Sequence, residues 1–314
     1  MDTNKQELHT VLGATGAMGY AVLEELEVRK HKTRAVTNTS KVEGHETVHA
    51  NLLDLDATKK AIEGSTHVYL CIGLPYNRKI WKKEWPIIMQ NVVDACIAHS
   101  ARLIFLDNIY MYQNPLPNPF DEHSHLTKST IKGTVRREVA DIMIQAIQDG
   151  KLSGTIARSA DFYGKRATNS VLYTSFLDRM LEGKNPLFIT SPDHLHTYAY
   201  VHDNARAMIL LGENEDCCGQ VWHLPTGDPI TTRELVKYYN KALGKKFKIK
   251  GMPGAMRIIL SLFIPALREI NEMIYQFNED YVMNWEKFHW RFPDFKVTPY
   301  EESVKETVEW FKNN

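Results

Sequence analysis

Short apolar runs and helically spaced apolar positions alternate through the first half of the chain. Leu8–Leu12, Thr33–Thr37, Thr47–Leu53, His67–Gly73, Arg102–Leu106 and Thr155–Arg158 read as buried strands. Between them, Tyr20–Leu26, Asp56–Glu63, Trp85–His99 and Ile131–Gln148 carry helical spacing. Asp54 or Asp56 supplies the cap of the second helix, and Gly64 ends it. This order predicts an α/β fold with a doubly wound parallel sheet and right-handed crossovers. The proline-dense loop Asn114–Pro119 interrupts it. From Tyr163 on the pattern is less regular. A helix is expected over Leu172–Leu181 and a strand over Gln220–Leu224. Thr231 and Glu234 form a capping box opening a helix to Leu243. Gly251–Phe277 reads as largely helical with a break at Pro265, and Ser303–Phe311 as a terminal helix.

The first strand runs directly into Gly13-Ala14-Thr15-Gly16-Ala17-Met18-Gly19 and then into a helix. Strand, glycine turn and helix together are the context in which such a motif binds a dinucleotide. Gly13 permits the tight turn, Gly16 lets the backbone approach a pyrophosphate, and Gly19 lets the helix pack on the strand. The first-turn amides and the helix dipole favour the phosphates. The expected architecture is therefore Rossmann-type. Residues 1–165 are mainly the dinucleotide-binding domain. Residues 166–314 are mainly a smaller C-terminal substrate lobe, with about 190–225 returning to the sheet. After the second strand, Asn38-Thr39-Ser40-Lys41 reaches the adenosine ribose. With no acid there and with Lys41 present, the loop favours NADP, with NAD as the alternative.

Composition excludes several other classes. Across 314 residues, 38 basic and 38 acidic side chains cancel, so no bulk field draws the chain to nucleic acid or an anionic membrane. A hydrophobic content of 43% supports a packed core. The cysteines Cys71, Cys96, Cys217 and Cys218 form no framework, and no signal peptide is recognised, so a cytoplasmic chain with reduced thiols is expected. Acids beside Cys217 and Cys218 argue for inert thiols. The most apolar stretch, Ile258–Leu267, is too short to span a bilayer and reads as a core or interface helix.

Over most of its length the chain resembles the short-chain dehydrogenase/reductase superfamily, in its extended or atypical branch of NAD-dependent epimerase/dehydratase type. The glycine motif carries the resemblance. So do Asn51-Leu52-Leu53-Asp54, where the family places an adenine-contacting acid, and Cys71-Ile72-Gly73 beside the cofactor. Asn91, Arg158–Gly164, Tyr198–Asp203 with Ala205, Trp222–Pro225 and Thr231–Leu235 continue it. The resemblance implies cofactor contacts by Gly13, Thr15, Gly16, Ala17, Met18, Gly19, Asn38, Lys41, Asn51, Leu52, Ile72, Gly73 and Asn108.

The family's acid–base machinery is altered. Asn108 falls where a serine or threonine hydroxyl is expected, and Lys132-Gly133-Thr134-Val135-Arg136 lines up with Tyr-x-x-x-Lys. Arg136 can bind a ribose or phosphate but cannot exchange a proton. Lys132 donates one only if its pKa is lowered. Tyr112 and Tyr163 are the remaining phenols expected near the crevice. The candidate catalytic set is therefore Tyr112, Lys132, Arg136 and Tyr163. If the face carrying Lys132 and Arg136 meets the crevice, two cations sit near the nicotinamide. Asp107 and Asp161 follow strands and either orient a substrate or cap helices. His196 or Thr197 is a candidate substrate contact. No metal is expected at His194, His196 and His202-Asp203, which lack a third ligand at helical spacing. The reading is an NAD(P)-dependent oxidoreductase, epimerase or dehydratase acting on a small organic molecule. Tyr76, Tyr112, Tyr163, His196 and Tyr198 line its pocket, and homodimerisation is left open. The altered motif favours the rival, a non-catalytic NAD(P)-binding sensor.

Overall fold

The computed structural model describes residues 7–314, the side chains of 265 and 266 apart. Residues 1–6, which fall in the region read as free of a targeting signal, lie outside the described residues. The first half alternates as expected: β1 (Leu8–Leu12), α1 (Ala17–Val28), β2 (Lys32–Thr37), β3 (Glu46–His49), α2 (Leu55–Ile62), β4 (His67–Leu70), α3 (Arg78–His99), β5 (Arg102–Asp107), α4 (Ile131–Gln148) and β6 (Gly154–Arg158). The seven-stranded sheet runs Val221–His223, β6, β5, β4, β1, β2, β3, and β1 to β6 pair in parallel. Every residue of β1, β4 and β6 is buried, as strands covered on both faces require. Strand order reverses between β1 and β4, the switch point where such sheets bind ligands.

Local chemistry explains where boundaries move. The strand expected over Thr47–Leu53 ends at His49. Asn51 Oδ1 accepts the Leu53 amide at 3.1 Å and Asp54 Oδ1 accepts the Ala57 amide at 2.9 Å, turning the chain into α2. β4 stops at Leu70 rather than Gly73, although the Cys71 amide still reaches Leu12 O. The helix expected from Trp85 begins at Arg78, because Asn77 caps it by accepting the Lys79 and Ile80 amides. Buried Trp81 and Trp85 anchor it around the internal Pro86.

The described chain divides into two compact units. The first comprises residues up to Asn108, Thr134–Arg158 and Asn204–Trp222, and it contains the sheet. The second comprises Ile109–Gly133, Ser159–Asp203 and His223–Asn314. It is built from short strand pairs, Asp161–Tyr163 with Tyr198–Tyr200 and Leu195–His196 with Ile230–Thr231, and from helices. Its core includes Met111, Tyr112, Phe120, Ala199, Tyr281 and Met283. The capping box at Thr231 and Glu234 is formed, and Gly244 ends that helix in the left-handed region. The division falls inside α4, so Lys132 belongs to the second unit and Arg136 to the first.

The apolar stretch around Ile258 is not core. The helix Gly254–Phe263 buries only Ser261, and Ile258, Ile259, Leu262 and Phe263 are exposed. The helix buries none of its apolar side chains, so the core reading is corrected. Among the described residues no helix is long and apolar enough to cross a membrane.

Candidate functional site

The glycine turn sits at the carboxyl end of β1. Gly13 and Ala14 donate to Val36 O at 3.0 and 3.2 Å, and Gly16 donates to Gly13 O at 3.1 Å. Gly13 has φ +86°, and a Cβ there would meet Ile72 Cα at 2.8 Å, so both conformation and space require glycine. A Cβ on Gly19 would collide with the Gly13 carbonyl, which is how α1 packs so closely on the turn. Gly16 differs. A Cβ there meets only Gly13 O, at 3.4 Å, and otherwise fills open space. Gly16 is the N-cap of α1 and no side chain caps the helix, so the space beside it faces first-turn amides.

The other residues read as cofactor contacts all lie in this unit, after neighbouring strands of the parallel sheet. Asn38–Lys41 is exposed beyond β2, Ile72 half-buried and Gly73 exposed beyond β4, and Asn108 half-buried beyond β5. Asn51 is exposed and Leu52 buried in the turn before α2. Asn91 of α3 donates to Leu52 O at 2.9 Å and ties that turn to the helix.

Arg136 lies in the same unit, and its guanidinium is committed. Nε donates to Asp107 Oδ1 at 2.9 Å, Nη2 donates to the same oxygen, and Arg158 Nε reaches Asp107 Oδ2 at 3.3 Å. All three side chains are at most 3% exposed. The Arg136 guanidinium also lies 4.5 Å from the Trp85 ring and 4.9 Å from that of Phe105. Asp107 thus holds two arginines and does not cap a helix.

The other three catalytic candidates lie in the second unit. Lys132 Nζ donates to Glu269 Oε2 at 2.6 Å, Glu272 Oε2 at 2.9 Å and Glu269 O at 3.1 Å, and its amide donates to Glu272 Oε1. Two carboxylates therefore surround this ammonium. Tyr163 is 2% exposed, with its hydroxyl 2.6 Å from Ser303 Oγ. Burial pushes this phenol well above its usual pKa. Tyr112 is wholly buried, and its hydroxyl lies 2.6 Å from His223 Nε2. His223 Nδ1 lies 2.7 Å from the Asn284 carbonyl, which can only accept. The network therefore places the imidazole proton on Nδ1, and Nε2 accepts from the Tyr112 hydroxyl. The sequence reading missed His223. The two residues are 111 positions apart, and only the Trp222–Pro225 segment pointed to that region.

The remaining polar candidates are also internally paired. His196 Nε2 lies 3.0 Å from Asp161 Oδ2, and the ring stacks on Phe277 and Tyr281. Thr197 is buried and accepts from the Met283 amide. Tyr198 is buried with its hydroxyl 2.7 Å from Thr232 Oγ1, whereas Tyr76 is 39% exposed.

Solved structures share this architecture at low identity, which speaks to fold alone. One is a UDP-glucose 4-epimerase from Thermotoga maritima solved with UDP-glucose. It is 19% identical, with 98% of this chain and 99% of that one covered and a TM-score of 0.77. The Thermus thermophilus UDP-glucose 4-epimerase, solved with NAD, is 18% identical over 97% and 99% of the two chains, with a TM-score of 0.76. DesIV, a dTDP-glucose 4,6-dehydratase from Streptomyces venezuelae solved with NAD, is 13% identical over 98% and 97%, with a TM-score of 0.78. No curated protein sequence matches the chain. The family model described as NAD dependent epimerase/dehydratase family matches residues 9–223, which is more than half of the chain. On that match, joined to the glycine turn and the sheet order, this chain belongs to the NAD dependent epimerase/dehydratase family.

Proposed function

We propose that this chain is an NAD(P)-dependent oxidoreductase, epimerase or dehydratase acting on a small organic substrate. The observation that carries the reading is the uncapped start of α1, with open space beside Gly16 at the switch point of the sheet. Gly13, Thr15, Gly16, Ala17, Met18 and Gly19 would hold the pyrophosphate. Asn51 and Leu52 would flank the adenine, and Ile72, Gly73 and Asn108 the nicotinamide half. Asn38 and Lys41 are exposed beyond β2 and would favour a 2′-phosphate, so NADP is the expected cofactor. A bound dinucleotide supplies hydride acceptance or donation. Two of the solved relatives contain NAD and one UDP-glucose, which makes sugar nucleotides the first substrates to test.

Proton exchange would fall to Tyr112: oxidation of a substrate hydroxyl passes that proton to Tyr112 as Tyr112 passes its own to His223 Nε2, and reduction runs the relay in reverse. Arg136 and Lys132 act through the carboxylates they hold. A second reading, a dinucleotide-responsive sensor without catalysis, is favoured by the burial of Tyr112, Tyr163, Lys132 and Arg136.

NADPH and NADH absorbance followed against carbonyl compounds and sugar nucleotides separates the two readings. Tyr112→Phe is expected to lower turnover by ~10²–10⁴ with dinucleotide affinity unchanged. Wild-type turnover in that variant removes Tyr112 from the chemistry. Binding with no turnover on any compound selects the sensor. Gly16→Val is expected to abolish dinucleotide binding by filling the space beside the helix start, and calorimetry showing unchanged affinity would overturn the site.

A further inference from the structure

We propose that Glu7, His9 and His31 form a binding site for a divalent transition-metal ion of the zinc type, at the end of β1 remote from the glycine turn. Each side chain offers one ligand atom, and these atoms lie within 4.8 Å of one another. His9 Nε2 lies 3.7 Å from Glu7 Oε2. Two imidazoles and a carboxylate are a donor set suited to zinc, with a fourth position left to water.

An independent observation points to a ligand here. His9 is wholly buried, yet its Nε2 has no hydrogen-bond partner. Leaving such an atom unsatisfied costs free energy, and an ion on its lone pair removes that cost. The other ring nitrogen, Nδ1, lies 3.2 Å from the Tyr69 hydroxyl. A proton on Nδ1 donated to that hydroxyl leaves Nε2 open for the metal, the usual outer partnership of a ligating histidine. His31 Nε2 lies 3.1 Å from Glu213 Oε1, and Arg29 holds Glu213 at 2.9 Å, so this ring is oriented too.

The His9 ring stacks on His67 at 4.4 Å and lies 4.3 Å from the His31 ring. Donors around a tetrahedral zinc stand about 3.3 Å apart, as metal–ligand lengths of roughly 2.0–2.2 Å require. The set therefore has to contract. The Glu7 side chain, 59% exposed, and the His31 turn between α1 and β2 supply that movement. Four residue steps of extended strand, about 13 Å, separate His9 from Gly13, so an ion here does not compete with a dinucleotide.

The test uses the full chain without an affinity tag. Zinc is titrated by calorimetry, and bound metal is counted after dialysis. One zinc per chain is expected, with a thermal midpoint that rises with zinc concentration. His9→Ala risks the fold because His9 is buried, so His31→Ala and Glu7→Gln are the informative variants. Each is expected to weaken zinc at least about tenfold and to leave NADP affinity unchanged. No zinc retained by the wild type overturns the site, as does equal zinc affinity in wild type, His31→Ala and Glu7→Gln. NADP titration of the same samples keeps this outcome separate from a failure of the dinucleotide site.

Discussion

Two buried cations four residues apart on α4 end in opposite surroundings. Arg136 and Arg158 share one carboxylate, Asp107. Lys132 stands between two, Glu269 and Glu272. In the sequence the two cations are equivalent, four residues apart on one helix face. In the structure each is matched to its chemistry. The planar guanidinium of Arg136 places two donors on one carboxylate oxygen. The ammonium of Lys132 finds three acceptors for its three hydrogens. Each charge is answered by acids.

The largest expected effect comes from removing the shared carboxylate. Asp107→Asn removes the carboxylate that both buried guanidiniums bind. It should cost about 3–5 kcal/mol, read as a lowered urea midpoint. A midpoint near wild type would mean that the arginines find other acceptors and that Asp107 is not the organising charge.

The Lys132 cluster should break more gently. Glu269 and Glu272 keep 15% and 12% of their side chains exposed, so water relieves part of their repulsion. Lys132→Met is expected to cost roughly 1–3 kcal/mol. Combining it with Glu269→Gln and Glu272→Gln should restore most of the loss, because no buried charge then stands alone. If the triple variant is no more stable than Lys132→Met, hydrogen bonds rather than charge hold this cluster.

The smallest effect lies between the two cations. A Cβ on Gly133 would meet the Tyr110 carbonyl and come within 2.7 Å of Thr130 Oγ1. Gly133→Ala should therefore destabilise by about 1–2 kcal/mol despite alanine's better helix propensity. A stabilised variant, seen in thermal unfolding, would show that the start of α4 can shift outward.

The sheet was readable because its signals are local. Leu8–Leu12 is a continuous apolar run with the boundaries expected of it, and α4 spans the residues its spacing indicated. Where the reading drifted, a side chain overrode the pattern: Asn51 ended a strand early and Asn77 began a helix early. The second unit was harder to read. Its strands are two or three residues long, too short for periodicity to show. The exposed apolar face of Gly254–Phe263 has the composition of a core helix, and composition alone cannot tell the two apart.

By itself, the sequence determined the order of strands and helices and the glycine turn. These depend on neighbours within a few residues, through backbone sterics, caps and spacing. Only the tertiary structure decided what the polar side chains face. Tyr112 meets His223 across 111 positions, and Lys132 meets Glu269 across 137. The buried Nε2 of His9 beside Glu7 and His31 likewise exists only once β1 and the turn after α1 are packed together. A buried charge or lone pair takes its meaning from the few ångströms around it, where the dielectric is low and each missing partner costs free energy. Which groups fill that space is set by the packing of distant segments, and no local pattern along the chain encodes it.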